Sequence, residues 1–227
     1  MNRVQEYIKE FPILANGIEE VDWTQLIEFF NFSLNDYALR NIIINKCSLS
    51  REWWEEEWYP GSLLYSCGLT LFTIIYCLKP KDIAEVGAFL GMSSLFMADA
   101  LENKDAHINS VDRWEEDGDS MYGGVHRGHT IKKNPPKTDC VTLVTDDAVH
   151  YLSSLDDNSM DFIFEDTDHT YDTTLSIIKE IPRVLRPSGI LASHDAHMKP
   201  VNNAYRDYFG LDNCTLLSNG IILWRKQ

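Results

Sequence analysis

Five side chains suited to acid–base or metal chemistry fall in two short segments: Asp166, Asp168 and His169 in EDTDHTY, and His194 and Asp195 in SHD. Carboxylates are hard oxygen donors that suit Mg2+ or Ca2+, and imidazoles extend the range to Mn2+ or Zn2+. The same imidazoles titrate near neutral pH, so His169 or His194 can equally serve as a general base without a metal. A third reading is structural, with His194 ending a strand and Asp195 beginning a turn.

A second group of residues has the spacing of a nucleotide site. In EVGAFLGMSS, from Glu85 to Ser94, a short apolar strand runs into a glycine-bearing turn and then a helix. Gly87 lets the backbone turn tightly, and Gly91 lets a ligand approach the helix N-terminus without a Cβ clash. A GxxxG turn alone serves strand–helix packing equally well. Asp112, roughly 20 residues beyond that turn, ends the next strand, where a carboxylate accepts hydrogen bonds from both hydroxyls of a ribose. Asp146 and Asp147 follow the third strand. One of them can meet an adenine amino group while the other caps the helix that begins at Ala148.

These residues need a scaffold that brings strand ends together. From residue 80 onward the sequence alternates strands and helices. Strands are expected at 82–86, 106–111, 140–144, 160–164 and 189–192, with helices at 93–101, 148–155 and 171–185, and a closing hairpin forms at 213–217 and 221–224 around Asn219-Gly220. The apolar run 63–78 reads as a buried helix, too short and too polar for a membrane span. Such alternation predicts an α/β fold with a mostly parallel sheet covered by helices on both faces.

Residues 1–60 form a helical N-terminal extension, with helices at 23–32 and 34–44, and residues 61–227 form the catalytic domain. Trp53, Trp54, Trp58 and Tyr59 stand beside three glutamates; they either pack a helix or wall a substrate pocket. Residues 114–136 read as a long irregular insertion, and long loops of this kind cover active sites. His126 and His129 within it are candidates for substrate contact.

The 227 residues carry a formal net charge of −15, with no basic patch, which argues against a nucleic-acid partner. Five cysteines in an odd, unpaired pattern fit reduced thiols in a cytoplasmic protein. The N-terminus has no secretory pattern.

The segment 82–189 resembles the class I S-adenosylmethionine-dependent methyltransferases. EVGAFLGMSS is similar to that family's first motif, and VDRWEEDGD to the VDTWxGD-like signature of its small-molecule subgroup. That subgroup includes the macrolide sugar O-methyltransferases and the cephalosporin hydroxylase-like proteins. EDTDHTY resembles the subgroup's IDGDHSY, LRPSGIL its LKPGG segment, and SHD its HD segment. Two positions depart from the pattern. Glu165 replaces an apolar residue before the aspartate, and Arg113 stands where threonine is common.

The resemblance implies a Rossmann-like seven-stranded sheet and S-adenosylmethionine as cofactor. It implies cofactor contacts from Glu85, Gly87, Phe89, Gly91, Ser93, Asp112, Arg113, Asp146, Asp147 and Asp166. Strands four and five are neighbours in this fold, so Asp166, His169 and His194 become the catalytic candidates. Asp166, His194 and Asp195 become candidate ligands of Mg2+ or Mn2+, with Asp168 as an alternative completing ligand. The implied activity is O-methylation of a small molecule, with no nucleic-acid or membrane partner and a homodimer as the expected assembly. Aminocarboxypropyl transfer or cyclisation with the same cofactor, a non-catalytic cofactor-binding module, and hydride transfer with NAD are the competing readings.

Overall fold

In a computed structural model, residues 45–58, 61–113, 128–133, 139–217 and 219–227 are described. The helices expected at 23–32 and 34–44, residues 114–127 and Tyr59 lie outside them. The chain order is α1 (Arg51–Glu57), α2 (Tyr65–Leu78), β1 (Asp82–Val86), α3 (Met92–Ala100), β2 (His107–Asp112), α4 (His129–Lys133) and β3 (Val141–Thr145). It continues with α5 (Ala148–Ser154), β4 (Met160–Glu165), α6 (Tyr171–Val184), β5 (Leu185–Ser193), α7 (Lys199–Tyr208), a 3-10 turn (Leu211–Asn213), β6 (Cys214–Leu216) and β7 (Ile222–Arg225).

The seven strands form one sheet in the order β3-β2-β1-β4-β5-β7-β6. The first five are parallel, and β7 runs antiparallel to β5 and to β6. This is the α/β fold with a mostly parallel sheet that the strand–helix alternation predicts, in the Rossmann-like seven-stranded form that the resemblance implies. The switch in strand order between β1 and β4 opens a crevice at their carboxyl ends, the position where ligands bind in such sheets.

Alternate strand residues feed two cores. Ile83, Ile108, Phe162, Phe164 and Leu223 point to the face covered by α2 and α3. Ala84, Val86, Ile163, Leu191 and Ile222 point to the face covered by α5, α6 and α7. The period of two therefore appears within strands that are buried on both faces. Helix α2 is buried on almost every side, as its unbroken apolar run requires.

Most element boundaries fall within a residue or two of expectation, and the larger departures are at β5 and in the insertion. Helix α6 ends at Val184 and the chain passes directly into β5, which starts at Leu185 rather than 189. The register with β4 shifts between Met160 and Phe162, and this irregularity accommodates Pro187 and Ser188 within the strand. The insertion at 114–136 is not wholly irregular: its described part forms α4, which docks on the β1–α3 turn through Thr130 N to Leu90 O at 3.1 Å. Of residues 1–60, the described part packs Leu49, Trp53 and Trp54 against the core that also holds α2.

Candidate active site

The turn between β1 and α3 forms the floor. Gly87 has φ of 87°, and a Cβ placed there would lie 2.1 Å from the Asp166 carbonyl oxygen. Only glycine permits β1 and β4 to deliver their carboxyl ends so close together. Gly91, at φ 85°, caps α3 in the left-handed region, and its missing Cβ makes room for Ile131 of α4. It lines neither cavity described below, so its glycine serves packing rather than ligand approach.

Glu85 is likewise placed differently from a ligand contact. Its carboxylate is fully buried and accepts hydrogen bonds from Ser93, Ser94 and Ser110 beneath the turn. Burial pushes its carboxyl above the ordinary carboxylate range, although the three hydroxyls pull the other way. It ties β1, β2 and α3 together below the site.

A cavity of about 490 Å³ opens above this floor, lined by Gly87, Phe89, Asp112, Arg113, Asp146 and Asp166, among others. Asp112 Oδ2 accepts the Phe89 N–H at 2.7 Å and so holds that residue at φ 47°. Of the paired aspartates, Asp147 caps α5, accepting from Val149 N and His150 N. Asp146 pairs with the exposed His150 at 2.7 Å. Arg113 lies 3.8 Å from Asp147 in an exposed ion pair. Thr167, Asp168 and Thr173 also line the cavity, and neither Thr167 nor Thr173 carries a local sequence signal.

A narrow recess of about 10 Å³ adjoins the cavity, bordered by Ser62, Leu63, Gly87, Ser93 and Asp166. The Ser62 hydroxyl oxygen is buried and has no hydrogen-bond partner. No motif points to Ser62, which comes from a distant loop that only the tertiary fold sets beside Gly87.

Trp53 and Trp54 of α1, and Trp58 just after it, line neither space. They brace the loop that does: Trp54 Nε1 donates to Leu63 O at 3.0 Å and Trp58 Nε1 to Ser62 O at 3.2 Å. The expected aromatic wall is, over the described residues, a buttress.

At the carboxyl ends of β4 and β5, Asp166, His169, His194 and Asp195 converge, with one ligand atom from each within 4.8 Å of all the others. Asp166 Oδ1 faces both His169 Nε2 at 2.9 Å and His194 Nδ1 at 3.1 Å. Burial alone would raise the Asp166 carboxyl, but the two imidazoles outweigh it and hold it below its usual range. Burial would lower His194, yet hydrogen bonds with Asp166 and Cys67 push it up to about 11. His169 is raised chiefly by its bond to Asp166.

Asp168 does not join the cluster. Its carboxylate accepts from Thr170 N and the Thr173 hydroxyl. His169, at φ 59°, turns inward in its place. Glu165, the residue that departs from the family pattern, is buried below. It accepts from Thr167 N and its hydroxyl and from Ser193, linking the two strand ends, and burial raises its carboxyl.

The arrangement can hold an extended polar ligand over the turn and present a carboxylate–imidazole cluster to its end. Comparison with known proteins agrees with that geometry. Residues 84–196 match a family described as a methyltransferase domain. Among solved structures, the O-methyltransferase TomG from Streptomyces achromogenes, in complex with SAM, is 16% identical with a TM-score of 0.57, over 82% of this chain and 90% of that one. An O-methyltransferase from Bacillus cereus in complex with SAH is 14% identical, TM-score 0.56, over 99% and 98%. The SAH-bound methyltransferase PaMTH1 from Podospora anserina is 14% identical, TM-score 0.60, over 94% and 100%. At these identities the structural likeness concerns the fold. No curated protein matches the sequence significantly.

Proposed function

Because the chain belongs to the class I methyltransferases, with its methyltransferase domain at residues 84–196, we propose that it methylates a hydroxyl of a small molecule with S-adenosylmethionine. The cavity over the β1–α3 turn suits that cofactor in size and lining, and the partnerless Ser62 hydroxyl offers a donor where a ligand's polar end would enter the recess. When bound, the cofactor supplies a methyl group on a positively charged sulfur, already activated for displacement.

The protein's part is to bind, orient and exclude water. Asp112 holds ribose hydroxyls, Phe89 covers the sugar, and Asp146 faces the adenine end. Gly87, Ser62 and Ser93 border the amino-acid end. Asp166, His169, His194 and Asp195 form the acceptor end, where the carboxylates accept a hydrogen bond from the acceptor hydroxyl and orient it. A divalent cation held by Asp166, His194 and Asp195 would lower the pKa of the acceptor hydroxyl and orient it. The extension expected at 1–60 contributes α1, which buttresses the loop at 61–63. The five cysteines, all free thiols, fit a reducing cytoplasm.

The observation that carries this reading is the position of Asp166. It borders the cavity, borders the recess and belongs to the cluster. The acceptor chemistry therefore abuts the cofactor site. The test incubates the protein with methyl-labelled S-adenosylmethionine and a panel of hydroxylated small molecules. Label should pass to an acceptor in wild type and fall by orders of magnitude in folded Asp166→Ala and Asp195→Ala. Full transfer in either variant defeats the assignment.

A further inference from the structure

Glu85 on β1 and Glu165 on β4 are both buried in the sheet. A carboxylate leaves water only where hydrogen bonds replace its hydration, so the donors around each one show what it holds in place. Glu85 stands in register with Phe164, and Glu165 with Val86. Phe164 belongs to the core under α2 and α3, and Val86 to the core under α5, α6 and α7. The two carboxylates therefore leave the sheet on opposite faces. Glu85 ties the β1–α3 turn through Ser93, Ser94 and Ser110, at the cofactor end of the site. Glu165 stands where the family pattern has an apolar residue.

Glu165 grips both arms of the acceptor end. Its Oε1 accepts from Thr167 N at 3.2 Å and from the Thr167 hydroxyl at 2.6 Å, and its Oε2 accepts from the Ser193 hydroxyl. Thr167 is the residue after Asp166, and Ser193 the residue before His194. The main chain repeats the link, because His194 N donates to Glu165 O at 2.9 Å and Asp166 N donates to Val86 O at 2.9 Å. One side chain thus fixes the flanks of the two residues whose Oδ1 and Nδ1 meet at 3.1 Å. An apolar side chain at 165 fills the same space and makes none of these side-chain bonds. The polar pocket extends one group deeper: the Tyr205 hydroxyl of α7, buried without a hydrogen-bond partner, lies beside Glu165 and Ser193.

We propose that Glu165 is a positioning residue for the acceptor end: by bridging Thr167 to Ser193 it sets the approach of Asp166 to His194, while touching neither cofactor nor acceptor. The inference rests on the methyltransferase reading only for what that end of the cavity does. Reacting groups must be held to within about 0.5 Å of their productive geometry, and a misplacement of about 1 Å costs about a hundredfold in rate. A bridge anchored on both strand ends supplies that constraint from beneath, where it leaves the cavity open.

The test compares the full wild-type chain with Glu165→Gln and Glu165→Ile. Glutamine keeps the bridge: its carbonyl accepts from Thr167 and its amide donates to Ser193, whose own proton turns to Tyr205. Isoleucine loses it. In isotope-labelled protein followed by NMR, the imidazole signals of His169 and His194 should shift in Glu165→Ile and stay at their wild-type positions in Glu165→Gln. S-adenosylhomocysteine should bind every variant within about threefold of wild type by calorimetry. Label transfer from methyl-labelled S-adenosylmethionine to the hydroxylated acceptor that wild type accepts should fall at least about tenfold in kcat in Glu165→Ile, with KM for the cofactor unchanged, and return in Glu165→Gln. Circular dichroism verifies the fold. If Glu165→Ile unfolds, Ser193→Ala, which cuts one arm of the bridge, takes its place under the same criteria. Wild-type imidazole signals or wild-type kcat in the folded variant overturn the proposal, as does an equal loss in Glu165→Gln. If S-adenosylhomocysteine does not bind and no acceptor takes label, the methyltransferase reading fails, and the imidazole signals still decide whether Glu165 positions the cluster.

Discussion

Asp112 Oδ2 accepts the Phe89 N–H at 2.7 Å, joining the end of β2 to the β1–α3 turn. One carboxylate thus shapes the turn and lines the cavity that the turn supports. Asp112→Ala should weaken S-adenosylhomocysteine binding at least about tenfold, because hydrogen bonds to a charged group contribute about 1.5–3 kcal/mol. Calorimetric titration checks this, and unchanged affinity would remove Asp112 from the site.

Ser62 offers a prediction of opposite sign for stability and binding. Its hydroxyl oxygen is buried without a partner, and such a group costs the free protein about 1–3 kcal/mol. Ser62→Ala should leave thermal stability unchanged or raise it, while S-adenosylhomocysteine affinity falls about three- to tenfold. A loss of stability together with full affinity would mean that the hydroxyl serves the fold.

Gly87 has no tolerant replacement. Alanine there pays for left-handed backbone, about 1–2 kcal/mol. Its Cβ would also sit 2.1 Å from the Asp166 carbonyl oxygen, a backbone atom that cannot swing away. Gly87→Ala should lower Tm by about 4 °C or more, given ~2–4 °C per kcal/mol at this size. It should also disturb both cavity and cluster, because the clash falls on Asp166. Scanning calorimetry with wild-type Tm would refute the close approach.

Trp54 acts on the site through a backbone carbonyl. Trp54→Phe keeps the ring's packing against the core but loses the bond to Leu63 O. The loop at 61–63 should loosen, and S-adenosylhomocysteine affinity should fall several-fold. Equal affinity in the two proteins would show that the loop holds its place without the indole.

The opposite end of the sheet supplies a pH-dependent test. Asp161 accepts from Lys81 N at 2.8 Å, Asp82 N at 2.9 Å and Arg186 Nη1 at 2.6 Å. Burial would raise its carboxyl, but these donors outweigh it and hold it below the ordinary value. A depressed carboxylate adds stability above its unfolded pKa, about 4, and that stability is lost as pH falls through the lower folded value. Asp161→Ala should therefore cost about 2–4 kcal/mol at pH 7, and the gap to wild type should narrow below about pH 4. Cofactor affinity should be unchanged, since Asp161 lies at the amino end of the strands. Urea unfolding at both pH values measures the gap, and an equal gap at pH 3 would disprove the assignment.

Much of the scaffold was legible because its signals are local. Parallel strands buried on both faces read as short apolar runs, and Gly87 after the first of them marks a turn that few other residues can make. The acids and imidazoles at the ends of β4 and β5 were legible as chemistry, because residue type alone limits what a carboxylate or imidazole can do. Glu85 and Gly91 show the limit of such reading. Both belong to the motif, yet one is buried under the turn against three serines and the other packs on Ile131.

The sequence by itself determined the alternation of strands and helices, and with it the strand ends on which Asp112, Asp166 and His194 sit. Side-chain period and turn chemistry act over a few residues, so no long-range information was needed. Only the tertiary structure decided that His169 rather than Asp168 turns into the cluster, because that choice rests on a positive φ held by surrounding contacts. It likewise decided that Asp147 caps α5 while Asp146 pairs with His150, both bordering the cavity, and that Ser62 lies beside Gly87. These outcomes depend on groups distant in sequence competing for one buried place, and no local pattern records who wins.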